Sequence, residues 1–208
     1  MDKAQTPTQP RRQRSDGARS RQAILLEAAR LATVEGIEGL SIGRLADAVG
    51  MSKSGLFAHF SSKEELQLAT IGTADEIFRA EVIDVAHEAP PGIPRLRALA
   101  EAFLDHLERH VFPGGCFFAS VAMEVDTHPG PVRDAALATV ASWFAELEAA
   151  VGDAQRDGTL DTREAPDQIA FELDAFLLLA NAQFVATGDP GVLDRARRAI
   201  DRLLIAAT

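Results

Sequence analysis

The chain has 208 residues, of which 47% are hydrophobic and 25% charged, and it holds a single cysteine. This composition is typical of a soluble globular protein with a substantial core, and it excludes a scaffold held together by disulfides and a chain too polar to fold. No apolar run approaches the ~20 residues of a membrane-spanning helix, and no signal-peptide core follows the basic N-terminus, so we expect a cytoplasmic protein.

The charge is divided unevenly along the chain. Residues 1–63 hold ten Lys/Arg and six Asp/Glu, whereas residues 64–208 hold 11 Lys/Arg and 25 Asp/Glu. A basic end attracts the phosphates of a nucleic acid, and an acidic body is repelled by them. We therefore expect the two parts to have different partners.

The first 18 residues are polar and show no apolar periodicity, so we predict a flexible basic arm over residues 1–18. Arginines in and just after this arm either enter a DNA minor groove, track phosphates or serve only a solubilising tail. They are Arg11, Arg12, Arg14, Arg19 and Arg21. Apolar residues then recur at helical spacing over residues 19–36, where Gly36 ends the predicted helix.

Two short helices joined by a turn with glycine are predicted next. Ser41 is the expected N-cap of the first, which Gly50 ends, and Ser52 is the expected N-cap of the second, which runs to about Phe60. This arrangement is a helix-turn-helix, whose second helix can lie in the major groove of DNA.

A long fourth helix is predicted to begin at a capping box formed by Ser62 and Glu65 and to run to about His87. Every later segment between glycine or proline stops also has helical periodicity. These segments are residues 94–110, 115–127, 131–153, 166–187 and 190–206. We therefore predict an all-α fold of about nine helices, with a helix-turn-helix domain at residues 19–63 and a helical bundle at residues 64–208.

The predicted second helix carries side chains suited to a close approach to DNA. Small residues at Ser52, Ser54 and Gly55 let the backbone near the bases, serine hydroxyls can bond bases or phosphates, and Phe57 can pack on a thymine methyl group. Lys63, at the start of the fourth helix, stands beside free backbone N–H groups that suit a phosphate. The alternative is a helical corner in which these serines only cap helices.

The stretch LSIGRLADAVGMSKSGLFAHFSSKEEL, residues 40–66, resembles nearly residue for residue the helix-turn-helix signature of the tetracycline-repressor (TetR) family of bacterial transcription regulators. The turn at residues 36–39 before it also fits, and the resemblance covers about the first third of the chain. It implies a DNA-binding regulator that is not an enzyme and needs no cofactor or metal. The DNA-binding residues that it implies are Ser41, Arg44, Ser52, Lys53, Ser54, Gly55, Phe57, His59 and Lys63.

One position departs from the family pattern. The family often has tyrosine where this chain has Phe57, and phenylalanine has no hydroxyl to bond a phosphate. We therefore expect His59 and Lys63 to make the backbone contacts and Phe57 to make an apolar one.

The resemblance also implies a homodimer that holds two heads ~34–36 Å apart over a palindromic operator. We expect the interface within residues 166–206, because the segment 169–185 is apolar nearly all round. A central core helix is the alternative explanation of this segment.

Family members usually respond to a small molecule bound in the body, and helices within residues 94–153 are expected to line that site. Its aromatic content predicts an apolar or aromatic effector, although the same residues also suit an ordinary core. The candidate ligand-binding residues are Phe103, His106, Phe117, Phe118, Met123, Trp143 and Phe144.

Two further hypotheses concern a histidine pair and the cysteine. His106 and His110 have the i, i+4 spacing that places two imidazoles on one metal, but they lack the H-E-x-x-H order of a zinc hydrolase. Further ligands would come from Cys116, Glu124, Asp126 or His128. Cys116 is a redox-sensor candidate if a helix N-terminus lowers its pKa, and a buried inert thiol otherwise.

Together these features predict a ligand-responsive repressor that an effector releases from its operator. One alternative keeps the DNA-binding head in an activator or architectural factor that needs no effector. The alternative of a different class, an all-α enzyme or metal-binding module, has no G-x-S-x-G, P-loop or Rossmann motif to support it.

Overall fold

The computed structural model describes residues 10–207, with side chains from residue 19 onward except that of Ala206. All regular structure in this part of the chain is helical, which confirms the predicted fold class and helix number. The helices are α1 (Pro10–Glu35), α2 (Ile42–Ala48), α3 (Lys53–Phe57), α4 (residues 63–87), α5 (Ile93–Glu108), α6 (Phe117–Val125), α7 (Pro131–Arg156), α8 (Pro166–Thr187) and α9 (Gly191–Ala206).

Helix α1 begins earlier than predicted. It starts at Pro10, so residues 10–18, expected to be a flexible arm, form its first turns. Proline suits the first helical position, and arginine and glutamine are good helix formers, whereas apolar periodicity marks only the turns that cover a core. Residues 1–9 of the predicted arm, and the side chains of Arg11, Arg12 and Arg14, lie outside the described residues.

Serine side chains begin the next three helices, as predicted. The hydroxyls of Ser41, Ser52 and Ser62 each accept a hydrogen bond from the backbone N–H three residues on, at 3.2, 3.1 and 3.0 Å. Helix α3 ends at Phe57, one turn before the predicted end. The capping box is also displaced by one residue, because the carboxylate of Glu65 accepts from the N–H of Ser61 rather than from that of Ser62.

Helix α4 runs unbroken to His87, with one π-helical turn at Arg79–Ile83. Turns of this kind are rare and occur frequently at functional sites. This one directly follows Phe78, whose ring contacts aromatic side chains of α5, α6 and α7.

The buried apolar side chains form two clusters. The cluster of the head, by which we mean α1 to α3 and the start of α4, consists of Ile24, Leu25, Ala28, Leu40, Leu45, Ala46, Leu56, Phe60 and Leu66. The larger cluster, that of the body, joins α4 to α9 and also takes in Ala29 and Ala32 of α1. Because α1 and α4 contribute to both clusters, head and body share two continuous helices, and no linker separates them at the predicted boundary of residues 63 and 64.

Helices α7 and α8 are central elements of the body. Helix α7 packs against α4, α6 and α8, and α8 packs also against α5 and α9. By length and composition alone, both helices could cross a membrane. The core helix of a soluble protein meets the same criterion.

Candidate DNA-binding head and ligand cavity

The helix-turn-helix is held together by apolar side chains that face the head cluster. Leu45 of α2 and Leu56 of α3 are fully buried, and Gly50 ends α2 with a left-handed backbone that few other residues adopt (φ 66°). The opposite side of α3 is open to solvent. Of the residues predicted to bind DNA here, Ser52, Lys53 and Ser54 are exposed, the Phe57 side chain is 55% exposed, and Gly55 and His59 are half-buried.

Two of the three cations predicted to contact DNA are already paired. The guanidinium of Arg44 lies 2.6 Å from a carboxylate oxygen of Glu35, and the ammonium of Lys63 donates to the backbone carbonyl of Glu38 at 2.6 Å and lies 3.3 Å from its carboxylate. Lys63 therefore ties the start of α4 to the turn after α1, which sequence spacing did not reveal. Lys53, by contrast, forms no ion pair with any residue that the structure describes, and its side chain lies over Gly43.

Arg21, predicted as part of the basic arm, belongs to the head instead. Its guanidinium lies 4.6 Å from the centre of the Phe60 ring and 3.5 Å from a carboxylate oxygen of Glu65. A cation over an aromatic ring is attracted by the negative face of the ring. Arg21 thus helps to join α1 to the turn between α3 and α4 and to the start of α4.

The turn after α1 is bonded to the body by one carboxylate. The two oxygens of Glu124, in α6, accept from the backbone N–H groups of Ile37 and Glu38, each at 2.8 Å. Gly36 makes room for this contact, since a Cβ atom there would lie 2.7 Å from the carboxylate and the backbone is left-handed (φ 80°). From α4, the side-chain amide of Gln67 donates to the carbonyl of Ile37 at 2.9 Å.

A second contact between head and body lies at the loop before α6. The N–H of Gly114 donates to the hydroxyl of Thr33 at 3.1 Å, and a Cβ atom at position 114 would clash with the backbone carbonyl of Thr33. Glycine is therefore required for this close approach of the two backbones. Helix α6 and its preceding loop thus hold the end of α1 at two points.

The body contains a cavity of about 240 Å³ among α4, α5, α6, α7 and α8. Its wall is almost entirely apolar. Four of the seven predicted ligand-binding residues line it, namely Phe103, Phe118, Met123 and Trp143. Met123 is 71% exposed, which places it at the rim.

The other three predicted ligand-binding residues do not line this cavity. His106 and Phe117 are buried in the body, and Phe144 is half-buried against the body cluster. Neighbouring residues of a helix point about 100° apart, so Phe118 and Trp143 face the cavity while Phe117 and Phe144 turn away from it. Sequence analysis did not select the further lining residues Phe78, Cys116, Ala119, Ala122, Asp126, Thr139, Val140, Asp174 and Leu178.

Asp174 is a half-buried carboxylate in the cavity wall. Its carboxylate oxygen Oδ1 accepts from the indole N–H of Trp143 at 2.9 Å. Burial raises the pKa of Asp174, and the bond from Trp143 only partly offsets this effect. The feature of the sequence that could have pointed to Asp174 is its position as a carboxylate within a segment that is apolar nearly all round.

The histidine and cysteine hypotheses are not supported. Among the residues described, no group of three or more His, Cys, Asp or Glu side chains could hold a metal ion. His106 is buried between the rings of Phe78 and Phe112, and burial lowers its pKa to about 4. Burial raises the pKa of Cys116 to about 11, which is the opposite of what a redox-sensing thiolate needs.

Helices α8 and α9 present apolar side chains on the outside of the single chain. Phe171, Leu179 and Val185 of α8 are 61%, 57% and 46% exposed. Beside them, a groove between α8 and α9 is lined by residues that include Phe176 and Ala199. The other face of α8 is in the core, as the alternative explanation of this segment expected, and a dimer interface on the exposed face stays a prediction.

Both parts of the chain match known families. Residues 24–70 match the model described as bacterial regulatory proteins, tetR family, and residues 92–200 match the tetracyclin repressor-like C-terminal domain. Among curated proteins, the chain is 32% identical over 111 residues to the HTH-type transcriptional regulator TcmR of Streptomyces glaucescens (50% of this chain, 47% of TcmR). It is 33% identical over 85 residues to the HTH-type transcriptional activator FasR of Mycolicibacterium smegmatis (41% and 39%). The matched region thus spans less than half the length of either relative.

Solved structures share the fold over nearly the whole chain. A TetR transcriptional regulator from Chloroflexus aurantiacus superposes with a TM-score of 0.82 at 24% identity, covering 92% of this chain and 95% of the other. AibR, solved in complex with isovaleryl coenzyme A and operator DNA, superposes with a TM-score of 0.70 at 26% identity, covering 85% and 95%. With the helix-turn-helix, the body and both family models in agreement, the chain belongs to the TetR family of bacterial transcription regulators.

Proposed function

We propose that this protein is a cytoplasmic transcriptional repressor that binds a palindromic operator as a homodimer and is released when a small molecule fills the cavity. One observation carries the proposal: helix α6 touches both sites. Phe118 and Ala122 of α6 line the cavity, while Glu124 of the same helix bonds the turn that enters the helix-turn-helix. A ligand that moves α6 would therefore act on the head directly.

The exposed edge of α3 is the proposed reading surface. Ser52, Ser54 and Gly55 are small enough to let the helix approach the bases, and Phe57 offers an apolar contact. Lys53 supplies the available charge, and His59 a hydrogen-bonding group. Ser41 and Arg44 flank this surface, where Arg44 can exchange part of its contact with Glu35 for a phosphate, and Lys63 keeps one further N–H donor beside its two bonds to Glu38.

The exposed apolar face of α8 and α9 is the proposed dimer interface. Phe171, Leu179 and Val185 would be covered by the same surface of a second copy, as a twofold interface requires. Two heads held in this way would meet successive turns of the major groove on one side of the duplex, ~34–36 Å apart.

The proposed switch is a shift between two arrangements of head and body. The Glu124 carboxylate, the Gly114 to Thr33 contact and the continuous helix α4 transmit movement of the cavity wall to the head. A ligand changes the populations only by as much as it prefers one arrangement, and moving them from 1:99 to 99:1 takes about 5.5 kcal/mol of preference.

The named relatives differ in the direction of regulation. AcnR of Corynebacterium glutamicum, 42% identical over 64 residues, is named a repressor, and FasR is named an activator. We favour a repressor because the cavity lies next to the contacts that position the head, so a ligand that fills the cavity would disturb those contacts and release the operator. An activator or effector-independent factor with the same head is the second candidate.

Selection of bound sequences from a random duplex pool at near-physiological salt tests the proposal. The Lys53→Ala/His59→Ala double variant is compared with native protein and with Arg163→Ala/His128→Ala, which likewise removes one basic side chain and one imidazole, but from exposed sites of the body. We expect a palindrome to be enriched by the native protein and the control but not by the head variant. No enrichment by folded, dimeric native protein would refute the proposal.

The enriched duplex then serves as a probe for effectors. Loss of binding with one compound of a broad panel would support release by a ligand. Binding that no compound changes, together with transcription that rises when the protein is present, would favour the second candidate.

A further inference from the structure

The carboxylate of Asp174 is an unusual group to find in an apolar cavity. It lies on α8 in the cavity wall and receives one hydrogen bond from a described side chain, from Trp143 to Oδ1. Asp174 forms no ion pair with the residues described, and its other oxygen receives no hydrogen bond from them. Asp174 is half-buried, and a partly desolvated carboxylate with a single neutral donor is incompletely compensated, so a donor or a cation brought by a ligand would stabilise it.

The walls around this carboxylate are aromatic. The rings of Phe103 and Trp143 stack with their centres 5.8 Å apart, and the ring of Phe78 meets that of Trp143 edge-on at 5.3 Å. Aromatic faces attract cations within about 6 Å and also pack well on apolar groups. The cavity is therefore suited both to the apolar part of a ligand and to a positive charge within it.

The charged residues that line the cavity are both acidic. They are Asp174 in the wall and Asp126, which is exposed at the end of α6, and no described lysine, arginine or histidine joins them. The guanidinium of Arg79, in an adjoining groove, is paired with Asp75 at 3.3 Å, and that of Arg133 donates to the backbone carbonyl of Asp126 at 2.8 Å and lies 3.4 Å from the carboxylate of Asp134. A carboxylate or phosphate on a ligand would enter without a partner and be repelled.

We propose that the effector of this cavity is a compact lipophilic amine, whose protonated nitrogen is bound by the free oxygen of Asp174 and whose apolar part packs against the aromatic wall. The inference rests on the proposed function for the role of the cavity, but it can be tested on the protein without DNA. The cavity volume of about 240 Å³ favours a small ligand.

Trp143 provides the readout, because it is the sole tryptophan of the chain, it lines the cavity, and its indole bonds Asp174. Three probes share a phenyl ring on a four-carbon chain and differ in the group at its end, which is a cation, a neutral hydroxyl or an anion: 4-phenylbutylamine, 4-phenylbutan-1-ol and 4-phenylbutyrate. Each is titrated at neutral pH while tryptophan fluorescence, excited at a wavelength that the phenyl group does not absorb, reports binding.

We expect the amine to bind about tenfold more tightly than the alcohol, and the carboxylate to bind more weakly than the alcohol. Asp174→Asn retains an oxygen to accept the Trp143 bond but loses the charge, so it should bring amine and alcohol to within about threefold of each other. Glu148→Gln is the matched control, since it removes an exposed carboxylate of α7 that does not line the cavity, and it should retain the preference for the amine.

The proposal would be overturned if the amine binds no better than the alcohol, if the carboxylate binds best, or if the preference for the amine survives Asp174→Asn. It would also be overturned if none of the three probes changes the fluorescence. Failure of the proposed function has a separate signature, because it would appear in the duplex selection, where no probe is present. An operator that is selected normally, with no amine preference in the cavity, would refute only the ligand class.

Discussion

Replacing Glu124 by alanine should loosen the head from the body without removing any core side chain. Both oxygens of this carboxylate accept backbone N–H groups, from Ile37 and Glu38, and neither N–H is bonded to another described residue in its place. The contact joins residues 87 and 86 positions apart in the chain, so nothing local replaces it.

The expected cost follows from the two bonds. Hydrogen bonds to charged groups contribute about 1.5–3 kcal/mol each, and because one of these is partly buried and the other exposed, we expect about 2–3 kcal/mol in total. For a chain of this size that lowers the melting temperature by about 5–10 °C. Glu124→Gln retains one acceptor oxygen but sets an amide donor against the second N–H, so at least half of the effect should remain.

Thermal unfolding and hydrogen exchange measure the prediction together. The amides of Ile37 and Glu38 should exchange faster in Glu124→Ala, while those of buried α8 residues should not. Glu148→Ala is the control, since it removes an exposed carboxylate of α7 that bonds no described residue. If Glu124→Ala melts within a degree or so of this control and leaves both amides protected, the carboxylate does not hold the head.

Four further results are expected. Lys53→Ala should weaken operator binding and reduce the slope of log affinity against log salt by about one, as measured by fluorescence anisotropy, if Lys53 meets a phosphate. Leu179→Asp should give a folded monomer by light scattering, because it places a charge on the exposed apolar face of α8. Burial lowers the pKa of His106 to about 4, below the value of about 6.5 for an unfolded chain, so the free energy of unfolding falls as the pH is lowered from 6.5 to 4. Urea unfolding at pH 7 and at pH 4.5 measures this loss, which should be about 2 kcal/mol smaller in His106→Leu than in the native protein. Because burial raises the pKa of Cys116 to about 11, its native thiol should react with a disulfide reagent at pH 8 at least about 100-fold more slowly than in the unfolded chain.

The head could be predicted closely because its signals are local. The serine caps at Ser41, Ser52 and Ser62 and the apolar spacing of each helix lie within a few residues of one another, and each of these helices begins where it was predicted to begin. The roles of the cations could not be predicted in this way. Lys63 and Arg21 are tied to Glu38 and Phe60, partners 25 and 39 positions away that only the folded head brings near.

The residues that line the cavity were predicted only in part, because they too depend on how distant segments pack. Aromatic content indicated α5 to α7, yet Phe117 and Phe144 turn away from the cavity while their neighbours Phe118 and Trp143 face it. The sequence contained the aromatic residues but not the rotation of each helix, which is decided by how all the surrounding helices pack.

Taken by itself, the sequence determined the helices, their caps and the helix-turn-helix, since these depend on contacts between residues that are close along the chain. Only the tertiary structure decided which carboxylate lines the cavity and which helix connects it to the head. Asp174 meets Trp143 across 31 residues, and Glu124 meets the turn after α1 across 86 and 87 residues. Such partners are set by packing over the whole body, because no periodicity within one helix specifies a neighbour that far along the chain.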